Sequence, residues 1–226
     1  MKLTYFGHSC FLLETGRHRI VLDPFLDANP AAPIKSAALD CDHVICSHGH
    51  DDHCADALAL ARRCDATIVG NFELCEFFAR QGARTHGMNP GGGHTFPFGH
   101  VRLTLAFHSS STEIDGRNVY LGAPCGFVLT VDGRRLYHAG DTALFSDMQL
   151  IGRAGLDLAL VPIGDNFTMG PDDALLALDY LRPKLAVPIH YNTWPLIAQD
   201  GDAFAARARA QGHAVRVLRP GESLEF

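Results

Sequence analysis

No stretch of this 226-residue sequence approaches the roughly 20 consecutive apolar residues that cross a bilayer, so no membrane span is expected. The opening Met1-Lys2-Leu3-Thr4-Tyr5 lacks the apolar run of a signal peptide and reads directly into a strand. Basic charge is scarce: 19 Lys and Arg face 25 Asp and Glu, a formal net charge of −6. Phosphate neutralisation needs clustered Lys and Arg, so no nucleic-acid partner is expected. The cysteines Cys10, Cys41, Cys46, Cys54, Cys64, Cys75 and Cys125 include no Cys-x-x-Cys pair, and their odd number argues against a disulfide scaffold. They read as small buried thiols in a reducing cytoplasm, the expected location. Long linkers, low-complexity tracts and short-period repeats are absent. The loop Asn89-Pro90-Gly91-Gly92-Gly93 precedes no helical pattern and is no phosphate cradle. Ser109-Ser110-Ser111 lacks the glycines of a nucleophile elbow.

What is present is a globular composition, 47% hydrophobic and 19% charged, with a length that suits one domain over residues 1–226. Lys2–Phe6, Phe11–Leu13 and Arg19–Leu22 read as strands of a hairpin-rich opening. The short β-type run His43–Cys46 leads to Asp51–Arg63, where Ala57, Leu58, Leu60 and Ala61 fall at helical spacing. Ala66–Val69 then reads as a strand and Phe72–Arg80 as a helix ended by Gly82. Val101–Phe107 alternates like a half-buried strand, and Asp132-Gly133 joins Cys125–Val131 to Arg134–His138 as a hairpin. In the second half, Leu156–Pro162, Lys184–Ile189 and Ala214–Leu218 read as strands, separated by helices from Pro171 to about Leu181 and over Asp202–Ala210. Hairpins plus βα units in each half predict two sheets packed face to face with helices outside.

The chemistry concentrates in Ser47-His48-Gly49-His50-Asp51-Asp52-His53, between a β-type run and a helix start. Imidazole and carboxylate together suit zinc, manganese or iron. Adjacent positions cannot easily surround one ion, so the cluster reads as parts of two neighbouring sites. A polar helix cap would need one such residue, and this stretch supplies several. Further ligands are sought at strand tips, where sites collect in open sheets. His108 closes the strand Val101–Phe107, Asp141 follows Arg134–His138 by a glycine turn, and His190 ends Lys184–Ile189.

These residues, in this order, resemble the metallo-β-lactamase superfamily. Phe6-Gly7-His8-Ser9, Leu22-Asp23-Pro24, Phe107-His108-Ser109, Tyr137-His138-Ala139-Gly140-Asp141-Thr142 and Phe167-Thr168-Met169-Gly170 are similar to its metal-dependent hydrolase branch, akin to L-ascorbate-6-phosphate lactonase. The resemblance covers essentially the whole chain. It implies a four-layer αββα sandwich of two mixed β-sheets with helices on the outer faces. It also implies two divalent metal ions, zinc first and manganese second. His48, His50 and His108 would hold one ion and Asp52, His53 and His190 the other, with Asp141 bridging and a shared hydroxide as nucleophile. Asp52 and Asp141 are then the catalytic carboxylates. The oxygen-reducing di-iron relatives carry glutamate where this chain has His50, which argues against an iron redox role. No basic insertion resembles the RNA-gripping arms of tRNA-processing relatives.

The expected activity is hydrolysis of a small, anionic lactone, ester or amide. A phosphodiesterase with the same centre is the alternative, and a metal-binding sensor with little turnover is an alternative of another class. Asp23 is a candidate acceptor for a metal-bound histidine, and His8 is a candidate at the pocket edge. In the loop Gly164–Gly170, Asn166, Thr168 and free backbone N–H groups are candidates for meeting a substrate anion, with Phe167 and Met169 as walls. Asn192, beside His190, is a further candidate contact. His138 reads as structural. A homo-oligomer is a possible state of the chain.

Overall fold

The computed structural model describes all 226 residues. The first sheet is built from β1 (Lys2–Gly7), β2 (Cys10–Glu14), β3 (Arg19–Leu22) and β4 (His43–Ile45), and continues after α1 (Asp51–Cys54) and α2 (Ala57–Cys64). It gains β5 (Thr67–Asn71) and, after α3 (Phe72–Arg80), β6 (Arg84–Met88). The second sheet begins with β7 (Gly93–Phe96) and β8 (Gly99–Leu105). A separate hairpin of β9 (Ser111–Ile114) and β10 (Arg117–Tyr120) follows, then β11 (Cys125–Val131) and β12 (Arg134–His138). The remaining elements are α4 (Met148–Gly152), β13 (Leu158–Pro162), α5 (Pro171–Leu181), β14 (Leu185–Ile189), α6 (Gly201–Ala210) and β15 (Ser223–Glu225).

The seven-stranded sheet runs β15-β1-β2-β3-β4-β5-β6 and the six-stranded sheet β14-β13-β12-β11-β8-β7. Each is antiparallel in one half and parallel in the other: β3 through β6 pair in parallel, as do β12, β13 and β14. Parallel neighbours require crossovers, which the helices supply except between β3 and β4, where a loop with one 3-10 turn at Ser36–Ala38 crosses. Between the sheets lies a core that includes Leu3, Phe11, Ile20 and Ile45 from the first and Val101, Phe127, Leu136 and Leu160 from the second. Leu60, Leu74 and Phe78 pack α2 and α3 on the outside of the first sheet. Met148, Leu175, Leu178 and Phe204 pack α4, α5 and α6 on the outside of the second. Helix, sheet, sheet and helix make the expected four layers.

Several local expectations are corrected. The helix read over Asp51–Arg63 is broken, because Asp56 turns its carboxylate to the N–H groups of Leu26 and Asp27, separating α1 from α2. Ala214–Leu218 does not form a strand; only Val215 bridges to Ala186, and the closing strand is β15 against β1. The β9–β10 hairpin, β6 and α4 were not legible in the sequence. All seven cysteines are free and all except Cys64 are buried. No helix is long and apolar enough to cross a membrane.

Strands β4, β12 and β14 end on the same side of the molecule as the outgoing end of β8. The predicted ligands follow those ends, so four distant chain segments meet at one rim of the sandwich.

Candidate metal centre

The segment after β4 turns sharply at Gly49, and His48 and His50 fold back on one another with Nε2 and Nδ1 3.0 Å apart. His108 brings its Nε2 within 3.3 Å of the same His50 nitrogen. These three rings form one compact group of donors. Short helix α1 then separates two aspartates by direction. Asp51 points outward and accepts from the Thr112 hydroxyl at 2.8 Å, while Asp52 turns toward the rim. A second group gathers His8, Asp52, His53 and His190. Asp52 Oδ2 lies 3.7 Å from both His53 Nε2 and His190 Nε2.

Asp141 lies between the groups. Its carboxylate is 3.5 Å from His108 Nε2, 3.2 Å from His53 Nε2 and 2.9 Å from His190 Nε2. His53 Nε2, Asp141 Oδ1 and His190 Nε2 are fully buried yet form no hydrogen bond of acceptable geometry. Buried polar atoms without partners are costly, and here they are clustered donors of the types that bind divalent cations. The donor set therefore fits bound divalent metal.

Supporting contacts fix the orientation of these rings. Asp23, fully buried, accepts from His53 Nδ1 at 2.8 Å, from the Ser47 N–H at 2.7 Å and from the Ser47 hydroxyl at 2.7 Å. That leaves Nε2 of His53 facing inward, the arrangement by which a carboxylate holds a metal-binding histidine. His8 is not at the pocket edge but buried behind it. Its Nδ1 meets the Thr193 hydroxyl at 2.7 Å and its Nε2 meets Asp52 at 3.0 Å, so both nitrogens are engaged and the ring braces Asp52. His138 has the structural role read for it. Its Nε2–H donates to the Ser9 carbonyl and its Nδ1 accepts from the Gly140 N–H, fixing the turn before Asp141.

The electrostatics divide along the same line. Burial pulls the pKa of His48, His50 and His108 down, keeping them neutral as metal-binding imidazoles must be. Burial also works against a charged His190, but Asp141 and Asp52 outweigh it and push its pKa to about 9. For His53 the same balance of burial against Asp141, Asp52 and Asp23 again favours the charged ring. Burial is likewise overcome at Asp141, where His190 and His53 hold the carboxyl well below its ordinary range.

A cation bound here must displace the His190 proton. With its pKa raised from 6.5, the protonated ring stabilises the metal-free fold fully below about pH 6.5, and that contribution fades as pH rises through about 9. Metal affinity is therefore expected to climb over the same window, by up to roughly tenfold per pH unit for each proton released. Thermal melts of metal-loaded and metal-stripped protein from pH 6.5 to 9 check this; a constant gap in melting temperature contradicts it.

Three candidate contacts fall outside the cluster. Asn192 is exposed and spends its Oδ1 on the Gln199 N–H at 2.8 Å, closing its own loop. Asn166 is exposed with φ of 43°, and Thr168 donates to the Met169 carbonyl. The N–H groups of Thr168 and Met169 are taken by the carbonyls of Asp165 and Thr142, so they are not free for an anion. Met169 is buried in the helix-side core and walls nothing, while Phe167 is exposed. Ser47, Thr142 and Thr193 were not singled out from the sequence, although each sits directly beside or near a ligand. The loop leaving β13 passes so close to His190 that a Cβ on Gly164 would overlap the His190 carbonyl oxygen. Gly164→Ala is expected to destabilise the fold by about 1–3 kcal/mol and to weaken metal binding, as read by denaturant midpoint and metal titration.

With this geometry in view, comparison with known proteins is decisive. The profile described as the beta-lactamase superfamily domain matches residues 2–190. The chain belongs to the metallo-β-lactamase superfamily. A protein of Opitutus terrae named UPF0173 metal-dependent hydrolase is 55% identical over 226 residues, covering 100% of both chains. One of the same name from Thermus thermophilus is 50% identical and covers 100% of this chain and 99% of its own. Among solved structures, the metallo hydrolase Igni18 of Ignicoccus hospitalis superposes with a TM-score of 0.90 at 38% identity, covering 100% of this chain and 98% of that one.

Proposed function

We propose that this member of the superfamily is a metal-dependent hydrolase with a binuclear centre. His48, His50 and His108 hold one divalent cation, Asp52, His53 and His190 hold the second, and Asp141 bridges them. The observation that carries the reading is the single Asp141 carboxylate within 3.5 Å of His108 in one group and 2.9 Å of His190 in the other. Zinc suits a site dominated by neutral imidazoles, with manganese as the alternative because two aspartates add oxygen donors. Such a pair supplies Lewis acidity and, from a shared water, a hydroxide nucleophile at neutral pH.

The remaining work belongs to the chain. Asp23 and His8 hold His53 and Asp52 in place, so the donors need no rearrangement as the reaction proceeds. Two aspartates offset only part of the charge of two divalent ions, which leaves a centre that favours negative charge on or beside the reacting group. The positive centre supports a small, anionic substrate, which the proposal takes to be a lactone, ester or amide, and the free, buried thiols support a cytoplasmic setting.

Stripped protein reloaded with zinc or manganese is expected to bind about two ions per chain and to hydrolyse members of a lactone and ester panel. Turnover of bis-p-nitrophenyl phosphate in place of those compounds would make it a phosphodiesterase. A metal content well below one ion per chain after reloading would overturn the binuclear reading.

A further inference from the structure

We infer that the outer face of the second sheet carries a second binding site, a groove for an amphiphilic anion: an aliphatic chain with a carboxylate or phosphate head. It goes beyond the hydrolase reading, because the groove uses none of the candidate metal ligands.

Strand register builds the groove. Val101 and Leu103 point into the core between the sheets, so His100, Arg102 and Thr104 of β8 point outward. Their neighbours on β11 are Thr130, Val128 and Gly126. Val128 packs with Tyr137 of β12 and Met148 of α4 in the helix-side core, which confirms the face. A cavity of about 530 Å³ separates α4 from β8, with Leu150, Ile151 and Ala154 on one side, Arg102 on the other and Val128 between. The loop through Gly91 also lines it and is fixed to β8, the Gly91 N–H donating to the Leu103 carbonyl at 2.8 Å. Small-molecule sites are concavities of this size.

The groove is polarised along its length. One cross-strand row holds His100, Thr130 and Arg135, and the next holds Arg102 beside Val128. Arg135 gives one guanidinium nitrogen to the Ala154 carbonyl. Arg102 is exposed and forms no ion pair or side-chain hydrogen bond, in a chain whose formal charge is −6. The one carboxylate in the lining is Asp147, at the opposite end of α4 from Ala154. At that opposite end the lining turns apolar. Phe145 lies 5.2 Å from Phe107, which follows Leu105 by two residues, and Leu105 and Leu150 are 49% and 59% exposed. Two arginines at one end and uncovered aliphatic side chains at the other match one ligand with a charged head and an apolar tail. A guanidinium pairs with carboxylate or phosphate through two parallel hydrogen bonds, and exposed leucines in a concavity gain by being covered.

Calorimetric titration of the whole, metal-loaded protein with octanoate, octyl phosphate, 1-octanol and octylammonium separates head from tail. Octanoate or octyl phosphate is expected to bind about tenfold tighter than octanol, with octylammonium weakest. Arg102→Gln is expected to remove the preference for the anions and leave octanol binding, while Leu150→Asp weakens all four. Both variants are expected to keep the parent's metal content. Anion binding that Arg102→Gln leaves unchanged, as for a head group held by the metal ions, overturns the proposal, and so does equal binding of octanoate, octanol and octylammonium. A dimer in sedimentation that Leu150→Asp breaks, with no octanoate bound, also overturns it and gives the groove to a second copy of the chain. Metal-stripped protein is expected to show the same preference for the anions. Failure of the binuclear reading at metal analysis is therefore distinguishable from failure of the groove at titration.

Discussion

On the proposed binuclear centre, Asp141→Ala is expected to lose at least one metal ion and about a thousandfold in turnover, roughly 4 kcal/mol of transition-state stabilisation. The size of the effect follows from position. Asp141 is 2% exposed and is the one carboxylate in reach of His53, His108 and His190 together. In the proposed binuclear centre its loss would remove the common ligand and one of the two carboxylates that offset the charge of the cations. His53 and His190 also lose the carboxylate that favours their charged forms, so the metal-stripped variant should release protons from both rings more readily than the parent. Asp141→Asn keeps the volume but not the charge. It is expected to fold like the parent and still bind less metal, which separates a packing defect from a ligand defect. Full metal content and unchanged turnover in both variants would remove Asp141 from the bridging role.

The cluster of candidate ligands was more legible in the sequence than parts of the fold. His48, His50, Asp52 and His53 announce themselves because chemistry demands several donors where a cap would need one. His108, Asp141 and His190 are found by asking which strands end in a ligand. The supporting residues are harder to see. Nothing local distinguishes the Thr193 that bonds His8 from any loop threonine, because its partner lies 185 positions away. The same difficulty explains β15, whose pairing of Glu225 with Lys2 joins the two ends of the chain. Asp115-Gly116 carries the same turn dipeptide as Asp132-Gly133, with φ of 51° and 73°. Its flanks, Ser111–Ile114 and Arg117–Tyr120, are mostly polar and remain largely exposed, so no alternating apolar pattern marks them as strands. The break after α1 depends on Asp56 reaching back to the loop that follows β3, again a contact invisible to periodicity.

Asp23 offers the second large effect and divides stability from metal binding. Its fully buried carboxylate accepts three hydrogen bonds, from the Ser47 N–H, the Ser47 hydroxyl and His53 Nδ1, at a residue whose φ is 43°. Asp23→Ala strands those donors without water and is expected to cost about 3–5 kcal/mol, measured by denaturant unfolding of the metal-free protein. Asp23→Asn is different in kind. The amide oxygen can still accept from Ser47, but its NH₂ group then faces the Nδ1–H of His53, donor against donor. Relief requires His53 to give up its Nδ1 proton and keep one on Nε2, the nitrogen aimed at Asp52 and Asp141. Asp23→Asn is therefore expected to retain most of the stability while losing about 10–100-fold in metal affinity. If metal titration shows Asp23→Asn binding as tightly as the parent, His53 does not bind a cation through Nε2. The second metal position would then have to be reassigned to Asp52, Asp141 and His190 alone.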